Sequence, residues 1–292
     1  MDDESHNPYR PPVDSPGVSE PRIPIGDLLF APALPLARLL GAVWRVYWGN
    51  IGKLAGVALI VYMPINTLLA YATARGLIED TTRWQRVAEF FVGVVATLAI
   101  ACIVEGAARD APVSLGRALA RAVLGWFQAI GTELLATLVV LAFSLLLIVP
   151  GVIHSGYYLF TLQLVALRSE GGSVALESSK KLVKGAWWPL VGTWVLVWLV
   201  MTVLLFVLWI PYGWLIDLLA VRDAPDALLW TMVVTGQSAQ DLLFFLANVT
   251  VSALFLHREH AVRLAPPAPE HPEETPGEAL VEDAGQPPGG SH

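Results

Sequence analysis

The feature that most limits how this chain can fold is a run of 34 residues, 134 to 167, without one charged side chain. As a continuous helix the run would be about 51 Å long, because an α-helix rises about 1.5 Å per residue. The hydrocarbon layer of a membrane is only about 30 Å thick, so the run is too long for one upright helix. Pro150 and Gly151 lie near its middle. Since proline lacks an amide proton and glycine tolerates a turn, we predict that span three ends near Val149 and that span four covers residues 152 to 167.

Four further apolar runs are long enough for a membrane helix. They cover residues 54 to 73, 87 to 108, 185 to 216 and 242 to 256, with a start one turn earlier as the alternative for the last run. Pro211 is expected to end span five at Ile210, and Pro64 is a further helix break inside span one. No segment alternates with the period of a membrane β-barrel. We therefore predict an all-α fold, a polytopic bundle of about six transmembrane helices.

The composition supports this class and excludes others. Apolar residues make up 55% of the chain and charged residues 15%, more apolar surface than a soluble core of 292 residues requires. Cys102 is the only cysteine, which excludes a disulfide scaffold. The net charge of −7 arises in the tails, so the middle of the chain carries only +2 and no nucleic-acid partner is expected. We predict a disordered Pro-rich tail over 1–33, a membrane domain over 34–263, and a disordered acidic tail over 264–292.

The distribution of Lys and Arg predicts the orientation in the membrane. With both termini in the cytoplasm, 14 of the 18 basic residues lie on the cytoplasmic side. The other four, in the outer loops, are Arg75, Arg83, Arg86 and Arg222. Since cytoplasmic loops of membrane proteins carry the excess of basic residues, both termini are predicted to be cytoplasmic.

A repeated unit is predicted within the membrane domain. A shift of 61 residues aligns about 113–151 with about 174–212, placing Trp126 on Trp187 and Pro150 on Pro211. Each unit begins with a basic amphipathic segment. One apolar face is predicted in the first unit, formed by Leu115, Leu119, Val123 and Trp126. In the second unit Leu176, Val183 and Trp187 oppose Glu177, Lys181 and Lys184. A weaker third copy precedes span one, with Leu36, Leu40, Val43 and Tyr47 on one face. We predict that these segments are interfacial helices that attract membrane lipids, including anionic ones, although ordinary connectors would have the same pattern. The expected interfacial anchors are Trp48, Trp126, Trp187, Trp188 and Trp209.

Three segments resemble a known bacterial family. They are LLLIVPGVIHSGYYLFTLQLVAL, GGSVALESSKKLVKGAWW and SALFLHREH. Over about residues 34 to 263 the chain resembles the glycerophosphoryl diester phosphodiesterase membrane domain family and its uncharacterised six-span relatives. The resemblance implies a multi-pass protein of the bacterial inner membrane. The phosphodiesterase barrel that some members carry has no counterpart here, so no catalytic residue is implied.

Candidate chemical groups are few. Ser155 follows His154, but Ile153 stands where an intramembrane serine nucleophile would need glycine, so a polar pair at a helix start is favoured. His257 and His260 share a helix face with only Glu259 near them, which favours a juxtamembrane end over a metal site.

Acids near the spans are better candidates, because a carboxylate in hydrocarbon is costly unless it is paired or hydrated. Glu105 and Glu133 are predicted to line a polar vestibule with Arg109 or Arg117, or else to reach the lipid headgroups. The same two alternatives, a polar vestibule or contact with the headgroups, apply to Asp217 and Asp241 on the outer side.

The preferred functional prediction is a non-enzymatic scaffold or accessory protein that organises membrane lipid or an unknown membrane or cytoplasmic protein partner. The alternative is a carrier or channel for a small solute or lipid, favoured by the repeat and the Pro-broken helices. An intramembrane hydrolase is the least favoured. No catalytic residue, cofactor or metal is predicted.

Overall fold

The computed structural model describes residues 25–30, 35–79, 81–221 and 225–264. This part of the chain is 89% helical and contains no strand, which confirms the predicted all-α class. Six helical segments within it are long and apolar enough to cross a membrane, in agreement with the predicted number. These spans, numbered one to six, are Ile51–Ala74, Thr82–Ala108, Leu115–Leu146, Ile148–Arg168, Trp187–Leu219 and Leu228–Leu264.

The spans are built from helices that often begin or end inside them. In chain order the α-helices are α1 (Ile25–Leu29), α2 (Leu36–Gly49), α3 (Ile51–Val57), α4 (Met63–Ala74), α5 (Thr81–Ala88), α6 (Val94–Ala108), α7 (Leu115–Leu146), α8 (Ile148–Tyr157), α9 (Thr161–Arg168), α10 (Gly172–Val183), α11 (Trp187–Val221) and α12 (Asp226–Leu264). Two π-helical turns, Ala58–Tyr62 and Glu89–Gly93, lie inside spans one and two.

The break between spans three and four comes earlier than predicted. Helix α7 ends at Leu146, and Leu147 is extended with φ −160° and ψ 139°. Pro150 therefore lies in the first turn of α8 instead of ending α7. The first amide groups of a helix have no intrahelical partner, so a proline there removes no hydrogen bond.

The other two prolines do not end helices either. Pro211 was predicted to end span five, but α11 continues through it to Val221. Pro64 lies in the first turn of α4, directly after the π-helical turn Ala58–Tyr62, and span one continues past it. Pro150 and Pro211, which coincide in the predicted repeat, thus occupy different positions in their helices. The presence of a proline was therefore not sufficient to predict a helix end. A membrane helix continues past a proline where neighbouring segments satisfy the backbone groups that the proline leaves unpaired.

Span six is much longer than the predicted 242 to 256, since α12 runs over 39 residues. Its first part contains the polar residues Ser238, Gln240 and Asp241, which precede the predicted apolar run. In the structure Asp241 is buried among other spans, so the polar stretch belongs to the helix bundle.

The predicted amphipathic segments form three different structures. Glu177, Lys181 and Lys184 lie on the exposed side of α10, and Leu176 and Val183 lie on its buried side, as predicted. In the first repeat unit the segment is instead the beginning of the continuous helix α7. In α2 the predicted apolar face is divided between buried and exposed positions. Its buried residues are Leu39, Ala42, Val43, Val46 and Tyr47, whereas Leu36 and Leu40 are exposed.

The folded region also begins before residue 34. Helix α1, inside the predicted N-terminal tail, buries Leu29 completely. His257 Nδ1 lies 2.8 Å from the carbonyl oxygen of Leu29, and the His260 ring packs against Phe30. These contacts bring α1 to the end of α12. The rest of both predicted tails, residues 1–24, 31–33 and 265–292, lies outside the described residues, as does Arg222 of the predicted outer set.

Small residues form the buried face of α7. Ala118, Ala122, Ala129, Thr132 and Ala136 are buried at spacings of three, four or seven residues. Small side chains let two membrane helices approach closely, and this face is turned toward the neighbouring spans, of which α6 is almost completely buried. Of the predicted apolar face, Leu115, Leu119 and Trp126 are partly buried and Val123 is exposed.

Candidate functional site

An open cavity of about 360 Å³ lies between the helices, and all six spans contribute to its lining. Three of the lining residues are carboxylic acids, Glu89, Glu133 and Asp241. They come from spans two, three and six, which are distant in the sequence. We refer to this space as the acidic cavity.

Glu89 begins the π-helical turn of span two. Its carboxylate oxygen Oε1 accepts a hydrogen bond of 3.2 Å from Gln85 Nε2, one turn earlier. At the end of the same turn, a Cβ atom on Gly93 would lie 2.9 Å from the Tyr62 hydroxyl oxygen. The absence of a side chain at Gly93 therefore allows spans one and two to approach each other beside the carboxylate.

Asp241 lies deepest of the three acids, with 6% of its surface exposed. Its Oδ2 accepts a hydrogen bond of 2.8 Å from Asn66 Nδ2, and Asn66 is itself buried. This bond joins α4 to α12. Since an amide is a neutral donor, the bond orients the carboxylate and does not neutralise it.

Glu133 reaches the cavity from α7 and takes part in none of the ion pairs between described residues. The preceding Thr132 faces a different neighbour, because its hydroxyl donates to Gln128 O and accepts from Gly172 N. Thr132 thus contacts the first residue of α10, whereas the neighbouring Glu133 lines the cavity.

Aromatic rings form much of the cavity wall. Trp198 packs against Phe244 with ring centroids 5.6 Å apart, and Tyr62 packs against Phe245 at 5.8 Å. Trp194 and Phe90 also line the space. The face of an aromatic ring attracts cations, most strongly where water is excluded.

None of the described residues that line the cavity is Lys or Arg. A carboxylate transferred into hydrocarbon without a partner costs several kcal/mol, so three of them in one cavity require protons, water or a cation for compensation. No group of three acid, His or Cys side chains among the described residues is close enough to hold a metal ion. Separated acids between aromatic rings match an extended organic cation better than a coordinated metal.

The structure divides the residues of the predicted vestibule between two places. Glu105 accepts a hydrogen bond from Arg109 at 2.8 Å and, with Arg117, lines a second cavity at the junction of α6 and α7. Glu133 lies in the acidic cavity instead. The prediction grouped the two glutamates because both approach one side of the membrane, but they project into different spaces between the helices.

Arg168 was not identified as a site residue from the sequence, although it connects three spans. Its guanidinium group donates to Glu105 at 2.9 Å and binds both carboxylate oxygens of Glu259, with Nε 2.6 Å from Oε1. Arg109 and Arg263 complete a chain of five alternating charges. We call this set the arginine clasp. It joins α6, α9 and α12, all of which continue to the acidic cavity.

The other candidate groups are engaged in local contacts. Ser155 donates to Val152 O at 2.8 Å, while His154 Nδ1 lies 2.9 Å from Pro150 O and its ring stacks on Phe143. Asp217 lies on α11, outside the lining of the acidic cavity.

The predicted tryptophan anchors differ in exposure. Trp48, Trp188 and Trp209 are exposed. Trp126 donates its indole N–H to Phe91 O at 2.5 Å, and Trp187 donates to Ile153 O at 3.2 Å. These two rings therefore join neighbouring spans.

No protein-family model, no curated protein and no solved structure matches this chain at a significant level. The resemblance to the glycerophosphoryl diester phosphodiesterase membrane domain family stays a prediction from the quoted segments.

Proposed function

We propose that this multi-pass membrane protein is a carrier for a small organic cation with apolar or aromatic parts, which binds in the acidic cavity. One observation carries the proposal. Three carboxylates from three spans line a cavity that has aromatic walls and no basic residue among its described lining. A bound cation would compensate the carboxylates and contact the rings. The proposal includes a location in a bacterial inner membrane, with both termini in the cytoplasm.

Binding is tested with 1-methyl-4-phenylpyridinium, a permanent aromatic cation, added to the purified full chain in neutral detergent. Affinity is measured by titration calorimetry for the native protein and for Glu133→Gln and Asp241→Asn. We expect each variant to bind about tenfold more weakly, since it removes one cavity charge and keeps a similar shape. Glu177→Gln is the matched control, because Glu177 is exposed on α10, far in sequence from the cavity acids. Equal affinity in all four proteins would contradict the cation site.

Transport is tested separately in liposomes that contain the protein. Uptake of the same labelled cation should depend on the protein and should decrease in Asp241→Asn but not in Glu177→Gln. Binding without uptake would contradict the carrier function and would indicate a protein that binds the cation without transporting it.

A scaffold that organises lipid is the second candidate, and one feature favours it. Helix α2 exposes Leu36, Leu40, Trp44 and Trp48 along one side at spacings of four residues. A helix with such an apolar stripe and exposed arginines suits the membrane interface. For a scaffold without transport, replacement of Trp44 and Trp48 by Ala should alter the co-purified lipid, while cation uptake should be absent in the native protein.

A further inference from the structure

A second cavity, of about 470 Å³, lies at the junction between α6 and α7. Its wall consists of Cys102 and Glu105 from α6, Arg117 and Arg121 from α7, and the connecting residues Ala111, Pro112 and Val113. The volume is in the range of small-molecule sites in proteins. We call it the basic pocket.

Positive charge is in excess around this pocket. The carboxylate of Glu105 already accepts hydrogen bonds from Arg109 at 2.8 Å and Arg168 at 2.9 Å. Arg117 and Arg121 belong to none of the ion pairs between described residues. The hydrogen bond recorded for Arg121 is a long one, 3.4 Å from Nη2 to Leu167 O. The pocket lining therefore carries two arginines against one glutamate, and that glutamate is already paired with arginines outside the lining.

The two lining arginines are arranged to act on one anion. They are four residues apart on α7, so they share a helix face and are separated by about 6 Å along the axis. Both residues line the pocket and are exposed. A guanidinium group presents a planar fork of donors that matches the oxygen atoms of a phosphate.

We infer that the basic pocket binds a phosphate group through Arg117 and Arg121. Its position, at the end of two membrane spans, favours the phosphate of an anionic phospholipid headgroup over a soluble phosphate compound. The inference is independent of the cation carrier, because the two cavities share no lining residue.

The test measures the affinity of dioctanoyl phosphatidylglycerol for the full chain in neutral detergent. In the double variant Arg117→Gln/Arg121→Gln we expect about tenfold weaker binding, because two charge-assisted contacts are lost. Arg75→Gln/Arg86→Gln is the matched control. It removes the same charge from exposed positions just after α4 and in α5, outside the pocket, and should change the affinity less than twofold. Equal weakening in both double variants would overturn the inference, since it would show a general effect of net charge.

Inorganic phosphate and glycerol 3-phosphate distinguish the source of the ligand. For a headgroup site, neither compound at millimolar concentration should displace the lipid, whereas displacement at micromolar concentration would assign the site to a soluble phosphate. If the Gln variant fails to fold, Arg117→Lys/Arg121→Lys retains the charge and loses the forks, and it should weaken lipid binding. Unchanged affinity in the Lys variant would then overturn the role of the guanidinium groups.

Discussion

The side chain of Arg168, in span four, makes polar contacts with glutamates of spans two and six. Its side chain is 17% exposed, and those of Glu105 and Glu259 are 13% and 14% exposed. The guanidinium also lies 5.7 Å from the ring centroid of Phe255. Because the partners are 63 and 91 residues away, this one side chain ties together helices that are distant in sequence.

Replacement of Arg168 by Gln should destabilise the protein. The change leaves two shielded glutamates without their shared partner, and we expect a loss of about 2 kcal/mol in the free energy of unfolding. Unfolding in mixed micelles, followed by circular dichroism, provides the measurement. The control is Lys181→Gln, which breaks an exposed pair with Glu177 and should cost under about 0.5 kcal/mol. Equal losses in the two variants would show that the clasp has no special role.

Removing one partner of the Asn66–Asp241 hydrogen bond should lower the stability of the protein more than removing both. Asn66→Leu removes the donor from a buried carboxylate and should cost about 1–3 kcal/mol of stability. The double variant Asn66→Leu/Asp241→Leu replaces both partners by apolar groups and should recover most of this loss. Thermal unfolding in detergent measures both variants. A double variant that is less stable than the single one would contradict this account of the bond.

At the scale of the elements, the hairpin formed by α7 and α8 depends on close backbone contact. A Cβ atom on Gly151 would lie 2.9 Å from Ser144 Cα and nearer still to its hydroxyl oxygen. Ser144 is three residues before the break at Leu147. The turn between the two spans is therefore tight enough to exclude any side chain at position 151.

Gly151→Ala should destabilise the hairpin by about 1–3 kcal/mol, because the added methyl group forces the helices apart. Gly131→Ala, also in span three, is the matched control. A Cβ atom added at Gly131 would meet nothing within 4 Å, and alanine is the better helix former, so stability should stay equal or increase by up to about 1 kcal/mol. Thermal melting of the two variants in detergent measures the difference. A Gly151→Ala protein as stable as the control would contradict the close approach.

The long helices depend on support from their neighbours. Helix α11 passes through Pro211 without ending, and near it the Tyr212 hydroxyl donates to Met232 O of α12. Its aromatic neighbour Trp209 stacks on Tyr212 with centroids 5.3 Å apart. The Tyr212 hydrogen bond holds the segment after the proline against span six, and sequence periodicity does not reveal this contact.

At the scale of the whole molecule, the arrangement of helix ends agrees with termini on one side of the membrane. Helix α1 packs beside the end of α12 through the His257 and Phe30 contacts. The arginine clasp and the basic pocket lie at this same end, where α6 and α9 also finish. The excess of arginine at this end predicts that it is cytoplasmic.

The orientation is tested with single cysteines in a Cys102→Ser background. Leu77→Cys lies in the connection between α4 and α5, and Lys181→Cys lies on the exposed side of α10. In intact spheroplasts, a membrane-impermeant maleimide should label position 77, and it should label position 181 only after permeabilisation. The reverse pattern would invert the proposed topology.

Much of the fold was predictable because the signals are local. A charge-free run of about 20 residues in lipid must be helical whatever surrounds it, since the backbone hydrogen bonds have no other partner there. The six spans follow from this, and the outward charges of α10 follow from its amphipathic pattern. The same reasoning misplaced the break at Leu147 and the start of span six, because helix ends depend on what the neighbouring backbone and side chains can support.

The amino-acid sequence by itself determined that this chain is a helical membrane protein with six spans, because length and hydropathy act within each segment. Only the tertiary structure decided which polar residues meet. Glu89, Glu133 and Asp241 converge, and Glu105 separates from Glu133 to join Arg168, because of how six helices rotate and pack against one another. Those rotations are set by small buried faces and single close contacts, such as the one at Gly93, whose partners lie far apart along the chain.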